Sequence, residues 1–477
     1  MAWGFLQQAG ATVALPSGQC LGQLGVRITM NQASADSAFR SWVDTPASST
    51  LTASRIVVRG WCYHRQSGSV TAVRACVGRR INPGLTGGKR PDVQTMFGEP
   101  GGDTSGFEIA VTLPPRHCTC RLEARIGDGP WQVFQTFSLD PPAQNAWRER
   151  WRWARFWFDA WRGQPRAWDA LAVAEQEFLL TWARHRGWLT IGDFDQHAPR
   201  PVVPERFPAS RRPADQLPKI TIVTPSFNQA AFLETTMRSV LDQPGVRLDF
   251  IVQDGGSTDG SADIMRRHAA RLKHAESAPD AGQAGAVVRG FVHADCGPDD
   301  VMAYLNSDDV LLPGALRFVA DYFARHPAVD VVYGHRVLID DDGQEIGRWI
   351  TPRRACDDLR LQDLVPQETL FWRKRIWDRV GGIDASFHFA LDWDLLLRFA
   401  AAGARFARLP WFLGQFRLHP RQKTQAWMSL HGVPEMDRLR LRTLGRAPTD
   451  AEMQVAMRRA QFDSALVYAL LQRGWRV

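Results

Sequence analysis

Tyr304-Leu305-Asn306-Ser307-Asp308-Asp309 starts as a short apolar run and stops in a cluster of side-chain oxygens. A strand that ends in carboxylates suits an open α/β sheet, whose ligands bind beyond the carboxyl ends of its strands. Hard oxygen ligands in small number fit Mg2+ or Mn2+ bridging phosphates better than a soft metal. An aspartate here also fits the N-cap of a helix after Pro313. A cap uses one carboxylate, however, and this cluster holds two carboxylates and an amide.

Outward from this stretch, strand, polar loop and helix repeat. Lys219 to Pro225 reads as a buried strand, with Thr224, Pro225, Ser226 and Asn228 at its end, and a helix follows over 230–243. Leu248 to Val252 is a second strand, ending at Asp254. Helices are expected over 261–272 and 284–295, with Asp280 and Gln283 in the loop between them. A helix runs from Pro313-Gly314 to Arg325, and 330–334 is another strand. This pattern predicts a Rossmann-like α/β domain with a mostly parallel sheet covered on both faces. All the polar strand ends then fall on one edge.

The front of the chain has another period. Val73, Ala75 and Val77 alternate, as do Phe107, Ile109, Val111 and Leu113, and Cys118, Cys120, Leu122, Ala124 and Ile126. Trp131, Val133, Gln135, Phe137 and Leu139 continue in the same way. Period two broken by turns such as Gly127-Asp128-Gly129-Pro130 predicts an all-β, Ig-like sandwich. The Gly- and Pro-rich segment 82–105 reads as loop.

Residues 143–190 hold eight of the nineteen tryptophans. Trp147, Trp151, Ala154, Phe158 and Trp161 fall at helical spacing, with Arg148, Arg152, Arg155 and Arg162 one position later. This basic, aromatic, amphipathic helix either lies on an anionic membrane surface or clamps the sandwich onto the next domain. Interdomain packing helices are the commoner case. A second helix is expected over 169–187. The resulting division is leader and β-sandwich 1–142, helical connector 143–197, Pro-rich linker 198–218, α/β domain 219–425 and helical tail 426–477.

The chain has 477 residues, a net charge of +8, and only five lysines among its basic residues. That charge requires no nucleic-acid partner, and none is expected. Seven cysteines without paired CxxC or spaced His argue for buried packing rather than a zinc site. The N-terminus lacks a charged region followed by a long apolar run, and no run of 18 apolar residues occurs. The expected location is cytoplasmic; on the membrane-surface reading of the helix, 143–165 makes peripheral contact at the inner face of a membrane.

Segment 219–425 resembles the family 2 glycosyltransferases of GT-A fold. The resemblance rests on six motifs in the family's order: Ile222–Asn228, Gln253–Gly260, Asp280-Ala281-Gly282-Gln283, Leu305–Asp309 with Pro313-Gly314, Pro366–Trp372, and Asp392-Trp393-Asp394-Leu395. It implies that Asp254 reads the edge of a nucleotide base and that Thr224, Pro225 and Ser226 lie by the nucleoside. Asn228 and Gln283 join that nucleotide-binding set. Asp308 matches the last carboxylate of the family's Asp-x-Asp motif, the ligand for Mn2+ or Mg2+. Asn306 departs from the motif's first position, which implies a contact to ribose or sugar. Asp309 is shared between the metal site and the helix that follows. Asp392 matches the catalytic base of the inverting members. Gln367 and Glu368 are placed on the acceptor side. Phe416-Arg417-Leu418-His419 with Lys423-Thr424 resembles the family's closing segment, putting Arg417 and His419 near the diphosphate or metal. Gly60-Trp61, Arg90–Val93 and Ser105-Gly106-Phe107 resemble small β-sandwich modules fused before such enzymes.

The function implied is transfer of a sugar from a UDP-linked nucleoside-diphosphate donor to a glycan or lipid-linked acceptor. Two rivals are a sugar-nucleotide or glycan binding protein without turnover, and a sugar nucleotidyltransferase. The second calls for a Gly-rich basic loop after the first strand, where Ser226-Phe227-Asn228-Gln229 stands instead.

Overall fold

The computed structural model describes residues 28–31, 38–45, 55–98, 101–114, 118–139, 146–420, 422 and 428–477. Asp140-Pro141-Pro142 and Lys423-Thr424 lie outside them, as does most of the leader. The chain forms two compact units that divide between Leu189 and Thr190.

Among the described residues of the first unit, nine antiparallel strands form one continuous ladder. They are β1 (Ile28–Asn31), β2 (Phe39–Thr45), β3 (Arg55–His64), β4 (Gly68–Ser69), β5 (Ala72–Val77), β6 (Arg80–Gly88), β7 (Gly106–Thr112), β8 (Cys118–Arg125) and β9 (Gln132–Leu139). Their order is β1-β9-β8-β5-β6-β7-β3-β2, with β4 on β3. β6 pairs β5 through its first half and β7 through its second, so it joins two half-sheets. Their inner faces share one core that includes Val58, Val73, Ile109, Val111, Cys120, Leu122 and Phe137. Burial pushes the Cys120 thiol up to about 12, which fits packing rather than redox chemistry.

Two expectations for this unit fail. Segment 82–105 is not all loop, because β6 runs to Gly88 and a helix spans Pro91–Phe97. Gly84 belongs to close strand packing rather than to a turn: a Cβ there would lie 2.5 Å from Ile109 Cγ1. In β9, Val133 is 49% exposed, whereas Phe134 and Phe137 are buried. A bulge opposite Leu122–Glu123 breaks the register and hence the alternation.

The helix Ala146–Trp161 buries a different face from the stripe of Trp151, Phe158 and Trp161. Trp153, Phe156 and Ala160 are buried, while Trp151, Phe158 and Trp161 are exposed. The sequence places aromatics on nearly every side, so spacing alone admits both faces. The chosen face is held by Arg55, whose guanidinium carbon lies 3.7 Å over the Trp153 ring, and by the Arg152 ion pair to buried Glu175. Glu175 opens the helix Val173–His185, which docks on β3 and β7 through Arg59–Glu177 at 2.9 Å and Arg184–Glu108 at 3.2 Å.

The second unit holds β10 (Ile220–Ser226), β11 (Leu248–Asp254), β12 (His274–Ser277), β13 (Val301–Tyr304), β14 (Val310–Leu311), β15 (Val331–Ile339), β16 (Glu345–Trp349), β17 (Phe371–Arg373) and β18 (Phe406–Arg417). The order is β12-β11-β10-β13-β17-β15-β18-β14, with β16 on β15. β12, β11, β10 and β13 run parallel, as the strand–helix alternation predicts. β17 is antiparallel to both β13 and β15, so the other half of the sheet is mixed.

Alternate residues of the parallel strands enter two cores. Ile222, Phe250 and Ala303 face the helices Ala230–Leu241 and Ala315–Arg325. Val223, Ile251 and Met302 face Gln283–Val292 and Leu391–Ala401. The register sets Ser226 beside Asp254, so the strand ends share an edge.

Segment 198–218 is tied down rather than free. Arg200 bridges to Glu345 through the backbone, and Phe207 stacks on Phe318 at 5.0 Å. The tail is likewise built in. The helix Asp450–Leu471 buries Met457, Ala460 and Val467, and Asp463 takes an ion pair from Arg353. Among the described residues no helix is long and apolar enough to cross a membrane.

Candidate active site

At the end of β10 the chain turns through Phe227 and Asn228. Asn228 has φ +52°, unusual for a residue with a side chain. Two bonds hold it there. Its N–H donates to Ser257 Oγ at 2.7 Å, and its Oδ1 accepts the Thr258 N–H at 3.0 Å. The loops after β10 and β11 are thereby fastened together.

Asp254 is buried and accepts bonds from Gly256 N, Ser257 N, Ser257 Oγ and Ser277 Oγ at 2.5–3.1 Å. Four donors fill a carboxylate's acceptor capacity. In this geometry Asp254 braces the loop, and reading a base edge requires it to exchange a partner.

Thr224 Oγ1 and Ser226 Oγ are buried and have no hydrogen-bond partner among the described residues. Such groups usually await a partner. Beside them Phe227 is 62% exposed. A Cβ on Gly255 would lie 3.2 Å from Phe227 Cδ2 and 3.3 Å from the Asp280 carboxylate, so glycine keeps this gap open.

The turn after β13 carries Asp308, the residue expected to bind metal. His419 Nε2 lies 3.1 Å from Asp308 Oδ2, across 111 positions of sequence. Adjacent ligands of an octahedral Mg2+ at about 2.0–2.1 Å stand about 3 Å apart. Among the described residues no group of three or more His, Cys, Asp or Glu could hold a metal ion, so this pair could hold only a cation that completes its shell with phosphate and water. The His419 ring packs on Phe232 at 4.9 Å.

Asn306 is a hub. Its Oδ1 accepts from Gln283 Nε2 at 2.6 Å, and its amide nitrogen donates to Gln367 Oε1 at 3.1 Å. Gln367 in turn donates to the Tyr304 carbonyl at 2.7 Å. The network stiffens the strand end.

Asp309 faces inward. It accepts the Arg417 N–H at 3.1 Å, and burial, then the charge of Asp308, holds its carboxyl well above the usual range. It does not cap the following helix. Gln243 Oε1 instead takes the N–H groups of Gly314 and Leu316.

Arg417 is also structural. Its Nε and Nη1 bond the carbonyls of Asp308, Asp340 and Asp341, which pins the turn after β13. Glu368 is buried against Arg336, with Oε1 3.1 Å from Nε, so it does not line an acceptor surface. Asp394, fully buried, is held by Arg398 and Arg442, both at 2.6 Å.

Asp392 stands in the first turn of Leu391–Ala401, behind the Ala390 N-cap, and is half-buried. Its field reaches the strand end. The buried Tyr304 phenol is raised by burial first and then by Asp392, Asp363, Asp309 and Glu368. Asp363, which motif reading missed, accepts the Val365 N–H at 2.9 Å. Burial first, then the charge of Asp392, pushes its carboxyl up to about 8. Asp363 had no motif to announce it, and Phe227 was visible only as part of the first motif.

Residues 221–383 match the family described as Glycosyl transferase family 2. A glycosyltransferase of Nostoc sp. is 28% identical over 184 residues, covering 35% of this chain and 54% of that protein. The chain thus spans about half the length of that relative. A PGL/p-HBAD biosynthesis glycosyltransferase of Mycobacterium tuberculosis is 26% identical over 187 residues, covering 38% of this chain and 69% of that protein. Among solved structures, S. aureus TarS 1–349 in complex with UDP-GlcNAc is 14% identical, with a TM-score of 0.38, and the match covers 54% of this chain and 92% of that one. The segment similar to this family runs from β10 through the turn after β13 and past Asp363, and ends before Asp392.

Proposed function

We propose that the protein is an inverting, metal-dependent glycosyltransferase that moves a sugar from a UDP-linked donor to a glycan or lipid-linked acceptor in cell-surface polysaccharide biosynthesis. The observation that carries this reading is the convergence of Asp308–His419 and Asp392 on the carboxyl edge of β13. The exposed Phe227 ring offers a stacking face for the base, and the Thr224 and Ser226 hydroxyls offer bonds to its polar rim.

Asp308 and His419 would hold Mn2+ or Mg2+, which when bound offsets charge on a diphosphate leaving group. Asn306, held between Gln283 and Gln367, fixes the turn that carries Asp308. Asp392 takes the proton of an acceptor hydroxyl as that oxygen bonds the anomeric carbon, while the bond from that carbon to the diphosphate oxygen breaks on the opposite face. Asp363 stands in the field of this base, its carboxyl pushed up to about 8 by burial and then by the charge of Asp392.

Incubation with UDP-sugars and Mn2+ should release UDP, and Asp392→Asn should slow release about 10²–10⁴-fold while donor binding persists. Tight donor binding without release from any donor would support a sensor instead. Pyrophosphate formed from sugar phosphate and nucleoside triphosphate would support a nucleotidyltransferase.

A further inference from the structure

We propose that the solvent face of the helix Ala146–Trp161 docks on an anionic lipid bilayer surface. A helix lying on lipid must expose Trp151, Phe158 and Trp161. They are 61%, 54% and 47% exposed. The packing role falls to the other face, through Trp153, Phe156 and Ala160.

At about 100° per residue, Trp151, Ala154, Phe158 and Trp161 lie within an arc of about 80°. Arg155 and Arg162 flank that arc on one side. Arg155 has 84% of its side chain exposed, and Arg162 leans over the Phe158 ring at 5.6 Å. Phe158 and Trp161 pack at 6.3 Å and form one apolar ridge. Residues 146–166 hold six arginines against Glu149 and Asp159; Arg152 is paired with Glu175, and Arg155 with Asp159 at 3.6 Å.

Tryptophan beside arginine on one helix face is the chemistry of the headgroup layer. The rings enter the acyl boundary and the guanidinium groups stay with phosphate. Each arginine near such a surface adds attraction that salt screens. A second copy of this face is a poor occupant, because it would set arginine against arginine. A nucleic-acid strand shares the charge but needs a groove to track its backbone, whereas this face is a convex ridge.

The test is co-sedimentation of the full-length protein with phosphatidylglycerol-containing vesicles, with pure phosphatidylcholine vesicles alongside. The wild type should pellet with the anionic vesicles, and rising salt should release it. Trp151→Ser/Phe158→Ser/Trp161→Ser should lower the partition coefficient about a hundredfold. Arg155→Glu/Arg162→Glu should lower it about tenfold or more while leaving residual phosphatidylcholine binding unchanged. Both variants alter exposed positions, so circular dichroism melting and UDP release in solution should match wild type. A wild type that stays in the supernatant overturns the proposal. So does a triple variant that pellets like wild type. Loss of self-association or of single-stranded oligonucleotide binding in the triple variant, with vesicle binding unchanged, overturns it too. The proposal concerns this helix alone, so its failure leaves the transferase reading intact.

Discussion

On the proposed function Asp392 takes a proton and His419 joins Asp308 at the metal, and Asp392 and His419 each make a separate prediction. Asp392→Asn keeps shape but loses the proton acceptor. UDP release should fall by about 10²–10⁴-fold, with donor affinity measured by calorimetry unchanged. His419→Ala leaves Asp308 as a lone ligand, and the Mn2+ concentration for half-maximal activity should rise about tenfold or more. Asp363 makes a pH prediction. Its carboxyl stays protonated to about 8 in the fold, against about 4 in an unfolded chain. Between those values the unfolded state binds fewer protons, so this group's contribution to stability is lost as pH rises through the window. Asp363→Asn should flatten that decline in urea unfolding midpoints measured from pH 4 to pH 8. An unchanged slope would remove Asp363 from the acid cluster.

At the scale of elements, the site depends on how closely the helix Gln283–Val292 lies on β10. Gly290 sets that distance, since a Cβ there would sit 2.5 Å from Val223 Cγ1. Gly290→Ala should cost about 1–3 kcal/mol by overpacking, read as a lower urea midpoint. The displaced strand carries Thr224 and Ser226, so donor affinity should fall as well. The strand-end edge was readable because parallel strands leave their carboxyl ends together whatever their loops contain. The β9 alternation and the buried face of Ala146–Trp161 were not. A bulge depends on the partner strand, and a helix aromatic on every side takes its inner face from what packs on it.

For the whole chain, two compact units with separate cores predict two unfolding steps. UDP with Mn2+ should raise only the transition of the Thr190–Val477 unit, because a ligand stabilises the state that binds it. Differential scanning calorimetry with and without ligand checks this, and one merged transition shifted as a unit would count against independent folding. Segment 198–218 and the tail after 426 read from composition as spacer and appendage. In the fold they fasten to the second unit through Arg200–Glu345, Phe207–Phe318 and Arg353–Asp463. Contacts between residues a hundred or more positions apart leave no local period to read.

The sequence alone determined the class of each half, the shared edge of the strand ends, and the roles expected of Asp308 and Asp392. Periodicity and turn chemistry are local, and six motifs in order are specific. Only the tertiary structure decided what neighbouring side chains do. It paired His419 with Asp308, spent Arg417 on carbonyls and Glu368 on Arg336, turned Asp309 inward, and set Asp363 in the field of Asp392. A carboxylate's role is set by burial and by its partners, and the chain assembles both from distant segments.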